Sequence, residues 1–360
     1  MEDRGGEMSS LNIIVGGGLI GLSIAWQMAR KGMKVTVLER EIAGKKASWA
    51  GSGMLTPYSE AGFEDDDLFR MGEKSLHLYP RFLAELKVDL GAEIPMDSHG
   101  SLIVAKDRDD MEYLQRIHEF KVHKGFPVKW ISGEEARDLE PLLSPRISSA
   151  IYLEKECQVN NRLLIEALKK ALRLKGGELL EKSAVTEVIA EEGKVLGVAL
   201  GNGEFLEASK VIIAAGAWSG KIKVPLAVQK PMIRPVKGQI LTLKMEEGRE
   251  LHHVVRSPRV YLVPKLDGTL RVGASSEDLG MDERVTAGPV MDLLRDAWEL
   301  FPSIYECSIE DISVGLRPST DDHLPCEGGC GVEGLYYATG HGRGGILLAP
   351  LTAYKMAERN

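Results

Sequence analysis

Two glycine-rich turns stand at opposite ends of this sequence, each among residues suited to anion or flavin chemistry. Gly16-Gly17-Gly18-Leu19-Ile20-Gly21 has the spacing G-x-G-x-x-G. Gly16 permits a tight turn and Gly18 lets the backbone approach a pyrophosphate. Gly21 allows a helix to pack closely on a strand, with the phosphate at the helix N-terminus. Glu39 follows at the end of the next apolar run, where a carboxylate accepts hydrogen bonds from a ribose diol and repels a 2′-phosphate. Ala47–Met54 (ASWAGSGM) is rich in small residues, where the chain would pass close to a cofactor. The second turn, Thr339–Ile346 (TGHGRGGI), offers backbone N–H groups at a helix start, which stabilise negative charge on a reduced isoalloxazine ring. The fingerprint alone serves NAD and FAD; two glycine turns favour the longer cofactor. Cys326 and Cys330 are one half of a metal pattern. No second Cys or His pair at zinc-like spacing completes it, so no metal is expected.

The elements that must position these turns are legible as periodicity. Leu11–Val15 is a short apolar run ending in glycines and predicts a buried parallel strand. Leu19–Arg30 has apolar residues at three- and four-residue spacing and predicts a helix, stopped by Gly32. Met33–Leu38 is a second strand, which completes a right-handed βαβ unit. Further helices are predicted over Phe69–Leu90, Arg108–Lys124, Asn161–Leu174 and Val290–Phe301. Strands are predicted at Ser101–Ala105, Val128–Ile131, Ala150–Leu153, Lys210–Ala215 and Leu335–Thr339. Ala184–Leu206 alternates like a meander with turns at Glu192-Gly193 and Gly201–Gly203. Lys230–Asp278 is strand-rich, with turns expected at Lys237-Gly238 and Asp267-Gly268.

These pieces predict an α/β fold: a Rossmann-like nucleotide domain assembled from residues 11–92, 148–222 and 310–360. A second, α+β domain built on a large mixed β-sheet comes from residues 93–147 and 223–309. Residues 1–10 are polar, hold no apolar leader core and read as a disordered tail. The chain has 360 residues and a formal charge of −8, which argues against nucleic-acid and anionic-membrane partners. No apolar stretch approaches the roughly 20 residues needed to span a bilayer. Four scattered cysteines do not make a disulfide framework. A cytoplasmic location and, as for many soluble enzymes, a homo-oligomer are expected.

The pieces GGGLIG, ASWAGSGML, PVKGQ, VYLVPK, GLRPST and TGHGRGGILLAP occur in that order from Leu11 to about Ala357. Together they resemble the glycine oxidases of the ThiO type, within the D-amino-acid oxidase superfamily. The resemblance implies FAD-dependent oxidative deamination of glycine, small primary and secondary amines or D-amino acids by O2. The products are an imine (glyoxylate and ammonia after hydrolysis) and hydrogen peroxide; in thiamine biosynthesis the imine feeds thiazole formation. Arg317 matches the arginine that holds the substrate carboxylate, and a planar guanidinium fork suits that task better than a lysine. Tyr261 matches a tyrosine whose hydroxyl lies near the same carboxylate, and Arg343 falls near the flavin and the substrate entrance. The implied FAD contacts comprise Gly16, Gly18, Leu19, Ile20, Gly21, Glu39 and Arg40, then Ala47, Ser48, Ser52, Gly53, Met54, Val185 and Gly216. The last turn adds His341, Gly342, Arg343, Gly344, Gly345, Ile346 and Leu347.

Two departures from the family pattern stand out, beside one contrast with a related family. Ser275-Ser276-Glu277 replaces a bulkier stretch, Gly342 and Gly344 stand where a larger residue and an Asn are common, and Gly315 occupies the position of the flavin-linking cysteine of sarcosine oxidases. Noncovalent FAD follows from the last. Two other readings stay open: a dehydrogenase of the same fold that uses an electron carrier, and a non-catalytic flavin-binding protein.

Overall fold

The computed structural model describes residues 11–62 and 66–359, so the expected tail at 1–10 lies outside the described residues. Its first organising element is a six-stranded sheet. In order it runs Cys326–Gly329, Leu335–Thr339, Lys210–Ile213, Asn12–Val15, Val35–Leu38 and Glu178–Leu180. All neighbours are parallel except the edge strand Cys326–Gly329. The central strands are buried throughout except at Lys210, as their apolar runs require.

One face of this sheet is covered by helices Leu19–Arg30, Asp66–Leu90, Asn161–Leu174 and Gly345–Ala357. Asn161–Leu174 shows why such helices form here. Its N-cap Asn160 accepts hydrogen bonds from the amides of Arg162 and Leu163, and Leu164, Ile165, Leu168, Ala171 and Leu172 bury a single stripe. The opposite face carries a three-stranded antiparallel meander, Val185–Glu191, Lys194–Leu200 and Phe205–Glu207. Val188, Val195 and Val198 pack there against Ile13, Val15, Val211 and Ile213.

The second sheet has eight strands, in the order Ser308–Ser319, Arg234–Lys244, Thr269–Gly273, Tyr261–Pro264, Val254–Arg256, Ser101–Ala105, Ser149–Leu153 and Lys129–Ser132. It is mixed through one parallel pair, Val254–Arg256 with Ser101–Ala105. Alternation along Ser101–Ala105 sorts its side chains: Leu102 and Val104 face Leu293, Ala297 and Phe301, whereas Ile103 and Ala105 join the core that contains Leu114.

Two features differ from the sequence expectations. Ser149–Leu153 and Ser308–Ser319, expected with the nucleotide domain, are hydrogen-bonded into the eight-stranded sheet. The apolar runs were visible, but long-range partners are not encoded in the run itself. Lys237-Gly238 is no turn; both residues lie inside the long strand Arg234–Lys244. The glycine there makes room for a side chain from the neighbouring strand.

Three helices on the first sheet are tied together by Asp89, whose side chain is 2% exposed. It accepts from Trp26 Nε1 at 2.9 Å and pairs with Arg30 and Lys175, each at 2.9 Å. Replacing it by alanine strands the buried indole N–H of Trp26 and takes one partner from Lys175 and from Arg30, which keeps Glu85 at 2.7 Å. Asp89→Ala is expected to cost on the order of 3 kcal/mol in urea denaturation; a midpoint within error of the wild type would refute the tethering role.

Candidate active site

Between the two sheets lies a cavity of about 1170 Å³. Its nucleotide end is built by the first glycine turn. Gly16 has φ +112°, and a Cβ there would sit 2.5 Å from the Ala214 carbonyl oxygen. A Cβ on Gly21 would meet Gly16 O at 2.0 Å, so helix and turn touch backbone to backbone. Gly18 is the N-cap of Leu19–Arg30; it brings no side-chain cap, and the helix has no acidic residue in its first turn. The positive helix end therefore opens onto the cavity. Glu39 is held in place by the amides of Gly17 at 2.8 Å and Glu41 at 3.0 Å. Ser48 Oγ accepts from the amide of Leu19 at 2.9 Å, which ties the small-residue segment to the helix start.

The far end of the cavity is built by the eight-stranded sheet. Arg317 and Tyr261 both project from strands, and each crosses a glycine of the adjacent strand. A Cβ on Gly238 would lie 2.4 Å from Arg317 Nη2, and one on Gly273 would lie 2.6 Å from the Tyr261 ring. Arg317 Nη1 donates to Ser275 O at 3.1 Å and more weakly to Lys237 O at 3.4 Å. No carboxylate forms an ion pair with it among the described residues. Burial lowers its pKa from the ordinary guanidinium value, though an arginine stays charged at any physiological pH. Tyr261 accepts a hydrogen bond from Ser52 Oγ at 3.0 Å, and burial raises its phenol above the usual range, so it stands protonated.

Of the residues expected at the site, Gly16, Gly18, Leu19, Ile20, Glu39, Arg40, Ala47, Ser48, Ser52, Gly53, Met54, Val185, Gly216, Tyr261, Arg317 and His341–Leu347 all border this cavity. Gly21 does not; it stands behind the turn as a packing position. His341 contributes backbone, because its ring is turned away and buried: Nε2 lies 3.0 Å from Thr352 Oγ1 and 3.3 Å from Glu327 Oε1. The sequence reading overlooked Trp218, whose ring carries the Arg40 guanidinium at 3.9 Å. It also missed Gly238, Glu60 and Arg256. The motif PVKGQ contained Gly238, and a strand reading of that motif would have shown it.

The cavity suits FAD. It is glycine-lined, opens onto a helix N-terminus, and carries in Glu39 a carboxylate anchored by two backbone amides. None of the four cysteines borders it. A Cβ at Gly315 would come within 3.0 Å of Ala50 Cβ and 3.2 Å of Ala47 Cα, so that position is closely packed without a thiol. Such a fold and cavity define a flavin-dependent oxidoreductase of two sheets. Residues 13–359 match the family described as FAD dependent oxidoreductase (DAO), and the chain belongs to that family. It is 32% identical to the glycine oxidase of Bacillus licheniformis over 347 residues, 96% of this chain and 91% of that one. It is also 32% identical to the bifunctional protein ThiO/ThiG of Trichormus variabilis, covering 96% of this chain but only 52% of that relative. The crystal structure of glycine oxidase from Geobacillus kaustophilus superposes with a TM-score of 0.89 at 32% identity, covering 97% of this chain and 94% of that one. Among the described residues no helix is long and apolar enough to cross a membrane, and no group of side chains forms a metal site.

Glu327 anchors the last turn. Burial alone would raise its carboxyl, but hydrogen bonds from His341, Lys355 and Thr352 hold it at about 2, against an ordinary 4.5. A depressed carboxyl stabilises the fold fully above its ordinary value and loses that contribution as pH falls towards the folded value. Glu327→Gln is expected to cost on the order of 3 kcal/mol near neutrality. In urea titrations the gap from wild type should close as pH drops from about 4.5 to about 2; a gap independent of pH would show that Glu327 is not held ionised.

Proposed function

We propose that this protein oxidises glycine and other small amines bearing a carboxylate, using noncovalent FAD and passing the electrons to O2. The carrying observation is Arg317: a half-buried guanidinium facing the cavity, held by two backbone carbonyls and by the Tyr261 phenol, with no carboxylate ion-paired to it among the described residues. A buried charge without a counter-ion is unfavourable, and a substrate carboxylate completes it with two parallel hydrogen bonds. Tyr261, protonated and fixed by Ser52, supplies a further donor beside it. Together they fix the orientation of the Cα–H bond, which is where positioning contributes to rate.

When bound, the flavin accepts the two electrons of that bond and returns them to oxygen. For glycine the balance is glycine, O2 and water giving glyoxylate, ammonia and hydrogen peroxide, by hydrolysis of the released imine. The FAD contacts are those set out for the glycine turns, with Glu39 at the ribose and the amino end of helix Leu19–Arg30 at the pyrophosphate. Arg343, which borders the substrate end of the cavity, is the second cation of the site. The bifunctional relatives, of which this chain spans about half, favour a place for the imine in thiamine thiazole formation. An electron-carrier dehydrogenase is the alternative for the oxidising half-reaction.

The test is a spectrum of the purified holoenzyme before and after anaerobic glycine, and again after air is admitted. Bleaching by glycine and recovery with peroxide in air are expected. Bleaching without reoxidation by air would give the dehydrogenase, and no response to any small amine would overturn the reading. Flavin should leave the chain on acid precipitation; flavin retained in the pellet would contradict noncovalent binding.

Two variants probe the carboxylate site. Arg317→Ala should lower kcat/KM for glycine by roughly a hundredfold or more, with Arg317→Lys recovering part of it. Gly238→Val should push the guanidinium aside and raise KM about tenfold or more without loss of bound FAD. An unchanged KM in the valine variant would remove Gly238 from the positioning of Arg317.

A further inference from the structure

A second, smaller cavity of about 240 Å³ adjoins the substrate end of the main one, and Glu60, Ala61, Arg256 and Arg343 border both. Its outer wall is Tyr113, Ile117 and Phe120 of helix Arg108–His123. At about 30 Å³ per water it has room for roughly eight water-sized volumes, enough for a carboxymethyl or carboxyethyl group with water around it. Arg256 is fixed at the shared border: Nη1 donates to Ser59 Oγ at 2.6 Å, and Nη2 pairs with Glu60 Oε1 at 2.6 Å. Arg343 has no ion pair or hydrogen bond among the described residues.

The charge at this junction is unbalanced. Among the described residues bordering the side cavity, Arg256 and Arg343 face a single carboxylate, Glu60, on which Arg317 acts from the main cavity, leaving two positive charges in a partly desolvated space. One substrate carboxylate on Arg317 neutralises one of them. Glu156 and Lys121 also interact with Arg256, but they border neither cavity and carry opposite charges. Burial would raise Glu60, yet Arg256, Arg343 and Arg317 hold it below its ordinary value, so all three cations act on one small region. Glycine alone leaves the side cavity and one positive charge unfilled.

We propose that the side cavity is an acid-binding subsite, with Arg256 as its specificity-determining residue, and that the substrates include amino acids carrying a second carboxylate. This rests on the amine-oxidising reading for the word substrate, whereas the binding site itself is testable without turnover. The second carboxylate shares Arg256 with Glu60 and takes Arg343 from the open side. The apolar wall of Ile117 and Phe120 accommodates the connecting methylenes.

The experiment is calorimetric titration of the holoenzyme with acetate, butyrate, succinate and glutarate, none of which is an amine. Succinate or glutarate is expected to bind about tenfold more tightly than acetate, and butyrate to gain little. In Arg256→Met the dicarboxylate-to-acetate ratio should collapse towards one. Should that variant fail to fold, Glu60→Gln provides the opposite readout, since freeing Arg256 from its partner should strengthen dicarboxylate binding several-fold. Dicarboxylates binding no better than acetate, a preference that survives Arg256→Met, or a preference weakened by Glu60→Gln would each overturn the subsite. Anaerobic bleaching by glycine in the same preparation tests the amine-oxidising reading separately. Glycine that bleaches the flavin while succinate shows no preference leaves that reading standing and removes only the subsite.

Discussion

A guanidinium drawn partly out of water with no ion-paired carboxylate is a costly thing to build, and much of the eight-stranded sheet is arranged around that one group. Arg317 comes from a long strand whose neighbour presents Gly238, so the side chain can cross backbone instead of being lifted off by a Cβ. Its Nη1 is held by carbonyls of Lys237 and Ser275. Those carbonyls are placed in turn by a polar cluster. Gln239 donates to Glu277 at 2.9 Å, its amide donates to Ser275 Oγ at 2.8 Å, and Lys237 Nζ reaches Asp282 at 3.2 Å. Lys237 and Gln239 are fully buried. Arg317 is thereby left oriented before any ligand arrives.

The same logic, backbone approached through glycine, recurs at the other end of the cavity. Gly16 and Gly21 bring the first turn against the neighbouring strand and the helix, and Gly18 leaves the helix start with no cap but the Ser48 hydroxyl. Gly53 stands at φ +80°, where a Cβ would meet Val159 O at 1.9 Å. Lys265 Nζ bonds that same carbonyl at 3.0 Å and Gln158 Oε1 at 2.7 Å, so the strand that pairs with Met54-Leu55 is held from the eight-stranded sheet as well. The cavity is consequently a seam: the glycine turn comes from one sheet, and Arg317 and Tyr261 come from the other.

Local elements were readable because their causes are local. Leu19–Arg30 and Asn161–Leu174 form as the apolar spacing predicts, and the hairpin turn at Glu192-Gly193 lies between two paired strands. The glycine fingerprint was readable for the same reason, being strand, turn and helix in sequence. What escaped was long-range. Lys237-Gly238 carries a turn-like composition, and only the partner strand bearing Arg317 explains a glycine in a strand interior. Ser149–Leu153 looks like any buried strand until Ser101–Ala105 is placed beside it. His341 sits amid cavity-lining glycines, yet its ring follows Glu327 and Thr352, residues that its own motif does not contain. Arg256 and Glu60 are unremarkable in sequence and acquire meaning only as neighbours across two elements.

The order of strands in the first sheet has a temporal meaning. Asn12–Val15 is flanked by Val35–Leu38, made soon after it, and by Lys210–Ile213, whose own outer neighbour is Leu335–Thr339. On a ribosome the early βαβ unit therefore waits, with both edges unpaired, until Glu178–Leu180 and Lys210–Ile213 have emerged, and the new edge on Lys210–Ile213 then waits for Leu335–Thr339. Pairing across such separations is entropically slow, and open parallel edges invite association with other chains in the interval. The nascent protein is thus most vulnerable during synthesis, and the closing helix Gly345–Ala357, which packs across Leu19–Arg30, acts as the latch that ends that exposure.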